Sequence, residues 1–144
     1  MIKRTLIFSA LMALAANAVQ ADEKPVFQSG EWRTTTITNI TGPINIPTQE
    51  FTVTECETQE EFEKGVAFIT DEDSCEVLEQ TIGDSLVDIR FKCDQDGVIT
   101  EMHLNAEYDK DSMVGKINGF MEMPIGRLDV SVDLTSERIG DCSS

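Results

Sequence analysis

The sequence predicts an all-β domain: an antiparallel meander of about seven strands curled into a small barrel, with one short helix after the second strand. Three observations carry that expectation. Beyond residue 30 the chain alternates apolar and polar residues with a period of two, the signature of half-buried strands. Gly, Pro, Asp and Asn punctuate that alternation often enough to break it into short strands. The one stretch that leaves the period, after Cys56, opens with a helix-capping sequence. A meander of this size protects its edges most simply by curling until its first and last strands meet.

A length of 144 residues fits one domain. Its start reads as an address. Lys3 and Arg4 are followed by an apolar run from Leu6 to Ala18, too short and wrongly flanked for a membrane span, and then by small residues at Val19-Gln20-Ala21. We expect residues 1–21 to be a signal peptide and residues 22–144 a single disulfide-stabilised β domain; a cut after Ala16-Asn17-Ala18 is the alternative. No cysteine follows the apolar run, so no lipid or other membrane anchor is expected.

The formal net charge is −16, and residues 1–21 hold two positive charges and no negative ones, so the exported chain is more acidic still. Such a field repels phosphate backbones and anionic lipid surfaces, which argues against nucleic acid as a partner. Its plainest role is to keep the protein soluble.

Residues 22–28 read as a polar lead-in. A first strand at 31–40 places Trp32, Thr34, Thr36, Thr38 and Ile40 on one face. Inward threonines imply a half-buried face or a partly polar interior. Thr41-Gly42-Pro43 and Ile46-Pro47 then mark a loop. A second strand at 49–56 sets Phe51 and Val53 on one face and Thr52 and Thr54 on the other. Thr58-Gln59-Glu60-Glu61 is a capping box, predicting a short helix over 58–67 with Phe62, Val66 and Ala67 as its apolar stripe. Gly65 weakens it, Ile69-Thr70 ends it, and Asp71-Glu72-Asp73-Ser74 forms a solvated loop.

The stretch Cys75–Cys93 reads as a β-hairpin. Val87, Ile89, Phe91 and Cys93 share one face of its second arm, and Asp88, Arg90 and Lys92 the other. With a loop of Gly83-Asp84-Ser85, Ile82 faces Leu86, Val77 faces Phe91 and Cys75 faces Cys93; a two-residue loop would put Lys92 opposite Cys75 instead. The turn Asp94-Gln95-Asp96-Gly97 leads to a strand at 98–108, where Thr100, Met102, Leu104, Ala106 and Tyr108 alternate with Glu101, His103, Asn105 and Glu107. A strand at 112–122 follows, and its Gly115 and Gly119 suggest a bend or bulge. The last strand, 126–138, turns Leu128, Val130, Val132 and Leu134 inward.

All four cysteines lie beyond the signal segment, and an even count in an exported chain implies two disulfides. No pair has the CxxC spacing of a zinc site. The hairpin register favours Cys75–Cys93. If the helix carries the chain across one end, the last strand closes antiparallel on the first, and Trp32, Cys56, Arg138 and Cys142 share a rim, which favours Cys56–Cys142. Cys56–Cys75 with Cys93–Cys142 remains the alternative.

Ser29-Gly30-Glu31-Trp32, the cysteine closing the second strand before Thr-Gln-Glu-Glu-Phe, the two middle cysteines and the terminal Arg138-Ile139-Gly140-Asp141-Cys142 together resemble the bacterial family DUF3617. The resemblance implies export to a Gram-negative periplasm and no assigned activity. Glu31 stands where that family usually has a leucine-like residue, and the glycine- and methionine-rich middle is thinner here. Gly30, Trp32 and Arg138 also resemble the opening Gly-x-Trp and covering arginine of lipocalins and other calycins. That resemblance implies a barrel end packed by Trp32 and Arg138 and a ligand-holding barrel; the same residues equally plug one end of an empty one.

The residues offer little chemistry. His103, the only histidine, falls on an outward face among carboxylates, which suits solvent better than catalysis, so no enzyme activity or catalytic residue is expected. Asp94-Gln95-Asp96-Gly97 lacks the distal glutamate of a calcium loop and is accounted for as a turn. Met102, Met113, Met121 and Met123 read as core filler rather than copper ligands. No cofactor or metal is expected. Two functions remain: a module holding a small apolar or amphipathic ligand against Thr34, Thr36, Met102 and Leu104, or a structural domain with a filled barrel that meets a protein partner.

Overall fold

The computed structural model describes residues 27–64 and 74–143. The expected signal segment, the predicted end of the helix at Val66 and Ala67, and most of the acidic loop after it lie outside the described residues. Seven antiparallel strands form one curled sheet: β1 (Gly30–Thr41), β2 (Gln49–Glu57), β3 (Cys75–Ile82), β4 (Leu86–Gln95), β5 (Val98–Tyr108), β6 (Ser112–Met123) and β7 (Gly126–Gly140). A short helix, α1, is described over residues 59–64. Its capping box is formed: Glu61 N donates to Thr58 Oγ1 at 3.2 Å, and Thr58 N donates to Glu61 Oε2 at 3.0 Å.

The strand order is β2-β1-β7-β6-β5-β4-β3, and β7 lies antiparallel to β1, as the helical crossing requires. The expected barrel does not close. β2 and β3 are the two edges, and no pairing joins them. A physical reason is written along those edges. Glu50, Glu55 and Glu57 lie on β2, Glu76 and Glu79 on β3, and neither strand carries a lysine or arginine. Like charges set opposite one another destabilise a ladder, and charged edges resist further pairing.

Register places one row of side chains after another on the inner face. Trp32, Thr34 and Thr36 of β1 stand opposite Arg138, Ser136 and Leu134 of β7, and Leu134 continues through Gly115 to Ala106 and Val87. The most buried apolar residues, Trp32, Val87, Ile89, Ala106 and Leu128, all belong to this face. Phe51 and Val53 share it through their pairing with Thr36 and Thr34, yet they are 53% and 45% exposed because β2 has no neighbour on its far side.

The hairpin expected at 75–93 is present, with Cys75 opposite Cys93 and Val77 opposite Phe91. Nearer the turn Ile82 faces Val87, not Leu86, and a bulge between Val77 and Glu79 absorbs the one-residue slip. Conversely, β6 pairs with both neighbours in unbroken register. Its glycines serve close approach instead: a Cβ on Gly119 would lie 2.0 Å from Glu101 O and 2.8 Å from Met102 Cα. At the β4–β5 turn Asp96 and Gly97 have φ of 53° and 81°, the two left-handed residues of a type I′ turn.

Disulfides join Cys75 to Cys93 and Cys56 to Cys142. The first staples β3 to β4 at the rim where β3 begins. The second ties the end of β2 to the segment after β7 at the opposite rim, where β1 starts.

Candidate functional site

The rim that holds Trp32 also holds a cavity of about 380 Å³. Its walls are the inner faces of β1, β5, β6 and β7: Thr34, Leu104, Ala106, Met113, Ile117, Leu134 and Ser136. Space exists there because the rows nearest the rim are built from small residues. Thr34 and Ser136 face each other with their hydroxyls 2.7 Å apart, and Ala106 is paired with Gly115. That mutual bond satisfies both hydroxyls within an otherwise apolar wall.

Aromatic rings cap the cavity. Phe27 stacks on Trp32 with centroids 4.8 Å apart and, on its other side, on Phe62 of α1 at 5.1 Å; Tyr108 meets Phe62 edge to face at 5.1 Å. Trp32 Nε1 donates to Gln28 O at 2.9 Å, which fixes the indole while leaving its ring in the stack. Phe27 belongs to the segment read from the sequence as a polar lead-in, so its role was missed. A lone aromatic five residues before the tryptophan was the only signal.

Arg138 is the cross-strand neighbour of Trp32, as the calycin resemblance needs, but the ring over Trp32 is Phe27. The Arg138 guanidinium donates instead to Ser29 O at 3.0 Å and to Asp141, lying against the backbone at Gly30. Any side chain on Gly30 would collide with it.

Two carboxylates, Glu57 and Glu61, complete the lining and are its only charged members. Partial burial and the nearby charges of Glu61 and Glu55 raise the Glu57 carboxyl above its ordinary value. Burial pushes the Tyr108 phenol up to about 12. Of the residues expected to line a ligand site, Thr34 and Leu104 line this cavity; Thr36 shares the row of Leu134 and Ala106 without lining it, and Met102 sits on the same face one row farther from the rim than Leu104.

His103 lies on the outer face. Its Nε2 is 3.0 Å from Asp88 Oδ1, and Asn105 Nδ2 donates to Asp88 Oδ2 at 2.6 Å. These bonds, from Asn105 first, hold the Asp88 carboxyl below its usual value. Among the described residues no group of three or more His, Cys, Asp or Glu side chains is arranged to hold a metal ion.

Fold and site together define a small, disulfide-bonded β domain whose curled antiparallel sheet holds an aromatic-capped cavity. A sequence profile of the family described as protein of unknown function, DUF3617, matches residues 27–142, and the chain belongs to that family. No curated protein and no solved structure matches it.

Proposed function

We propose that this chain is an exported, periplasmic, non-catalytic module that holds a small apolar or amphipathic ligand in the cavity beneath Trp32, Phe27 and Phe62. The cavity itself carries the reading: its 380 Å³ lies within the range of small-molecule sites, roughly 300–1,000 Å³, and mostly apolar walls with a few convergent polar groups are their usual construction. The disulfides are compatible with export. Native mass spectrometry of protein purified from periplasm tests it. A retained mass that Ala106→Leu abolishes, by filling the space, is the expected result; no retained mass under mild conditions counts against a ligand carrier.

One observation favours a second reading, a protein-interaction domain. β2 is an unpaired edge with Phe51 and Val53 exposed beside it, and such an edge can accept a strand from another protein. In that case a co-purifying polypeptide replaces the small mass, and Val53→Lys removes it.

A further inference from the structure

The charge at the cavity mouth selects a ligand class. Glu57 and Glu61 are the only charged side chains that line the cavity. Among the described cations near this rim, Arg138 is engaged with Asp141 and Ser29, Lys64 with Glu60 at 2.7 Å and Arg33 with Glu137 at 3.0 Å, while Lys110, in the β5–β6 turn, is not part of the lining. Glu61 spends one oxygen on the capping box. Glu57 makes no hydrogen bond or ion pair among the described residues, although it stands between an apolar pocket and two further carboxylates. A partly buried carboxylate such as Glu57, with the exposed Glu61 beside it, stabilises an opposite charge placed against them and repels a like one.

We propose that the cavity takes an amphiphile with a cationic head, an amine or quaternary ammonium, seated at Glu57 and Glu61 with its apolar body against Leu104, Ile117 and Leu134. This rests on the cavity being a ligand site. The acidic whole, at −16, adds to the same preference by drawing cations and repelling anions. The raised Glu57 carboxyl is consistent with a group that lacks its counter-ion. Anionic amphiphiles such as fatty acids are the ligands this mouth rejects.

Isothermal titration of the mature protein with decyltrimethylammonium, decyl maltoside and decyl sulfate, each below its micelle concentration, tests head-group sign at constant tail. The cationic probe should bind about tenfold tighter than the neutral one, on the scale of a single charge-assisted contact, with decyl sulfate weakest. Glu57→Gln should shrink that preference, lowering affinity for the cationic probe by more than affinity for the maltoside, and added salt should shrink it in the unaltered protein. Equal affinities, or a preference for decyl sulfate, overturn the head-group assignment and leave the cavity as an apolar site. Binding of none of the three overturns both readings.

Discussion

Tyr108 is the chain's only tyrosine, so its ionisation can be followed directly by ultraviolet absorbance. The native protein should form tyrosinate only near pH 12, whereas the denatured chain titrates near 10. Because the folded value is the higher, the native state holds that proton more tightly. The phenol's contribution to stability is complete below about pH 10 and is lost as pH climbs toward 12. Glu57 follows the same sign at lower pH: its contribution declines as pH rises through 4.5 toward the raised folded value. Glu57→Gln is therefore expected to stabilise the unliganded protein at neutral pH and to lose that advantage below pH 4.5, measured as urea midpoints. The gain in stability would accompany a loss of cation affinity, which separates the residue's structural cost from its use. Trp32, 3% exposed and stacked on Phe27, is the converse case; Trp32→Ala should cost about 3–5 kcal/mol in denaturant unfolding followed by circular dichroism.

Individual strands show which local signals suffice. Period-two alternation located every strand to within a few residues, because most inward positions are apolar while outward ones are polar. The turn register of the β3–β4 hairpin was misread because the bulge near Leu78 is a two-strand compromise: it keeps Cys75 opposite Cys93 while letting Ile82 meet Val87. The glycines of β6 suggest a bend or bulge when read alone, yet the strand pairs without a break and Gly119 is demanded by its approach to β5. Gly119→Ala would drive a methyl into the Glu101 carbonyl, and it should destabilise by at least about 1–3 kcal/mol, the usual cost of overpacking. The disulfides differ in reach, spanning 86 and 18 residues. In the chain-entropy account the longer contributes about 4.5 kcal/mol and the shorter about 3. Replacing Cys56 and Cys142 together by alanine should thus lower the urea midpoint more than replacing Cys75 and Cys93.

At the scale of the molecule, the antiparallel meeting of β1 and β7 was legible because the capping box after Cys56 reveals a crossing. The open side was not, since alternation says nothing about whether two edges attract. Their composition does, with five glutamates and no cation on β2 and β3. Neutralising that repulsion should expose the edges: the variant Glu50→Gln with Glu55→Gln and Glu57→Gln is expected to self-associate at neutral pH in sedimentation velocity, while the unaltered protein does not. The cavity was legible in part, through Thr34 and Leu104, and the rest of it was hidden for a related reason. Its room comes from small residues on four strands far apart in the chain, and its cap from Phe27 and Phe62, neither of which belongs to the sheet.

The position of β7 between β1 and β6 has a consequence for how the chain assembles. Without it, the hairpin of β1 and β2 has no ladder to the meander running from β3 to β6. Those four strands pair only with sequence neighbours and can zip up early. β1 must wait, half-covered, for a partner about a hundred residues downstream, and contacts of such long range are the slow ones to form. Folding should therefore show a fast phase that builds the meander and a slower one in which β7 docks the first hairpin, buries Trp32 and closes the cavity in the same event.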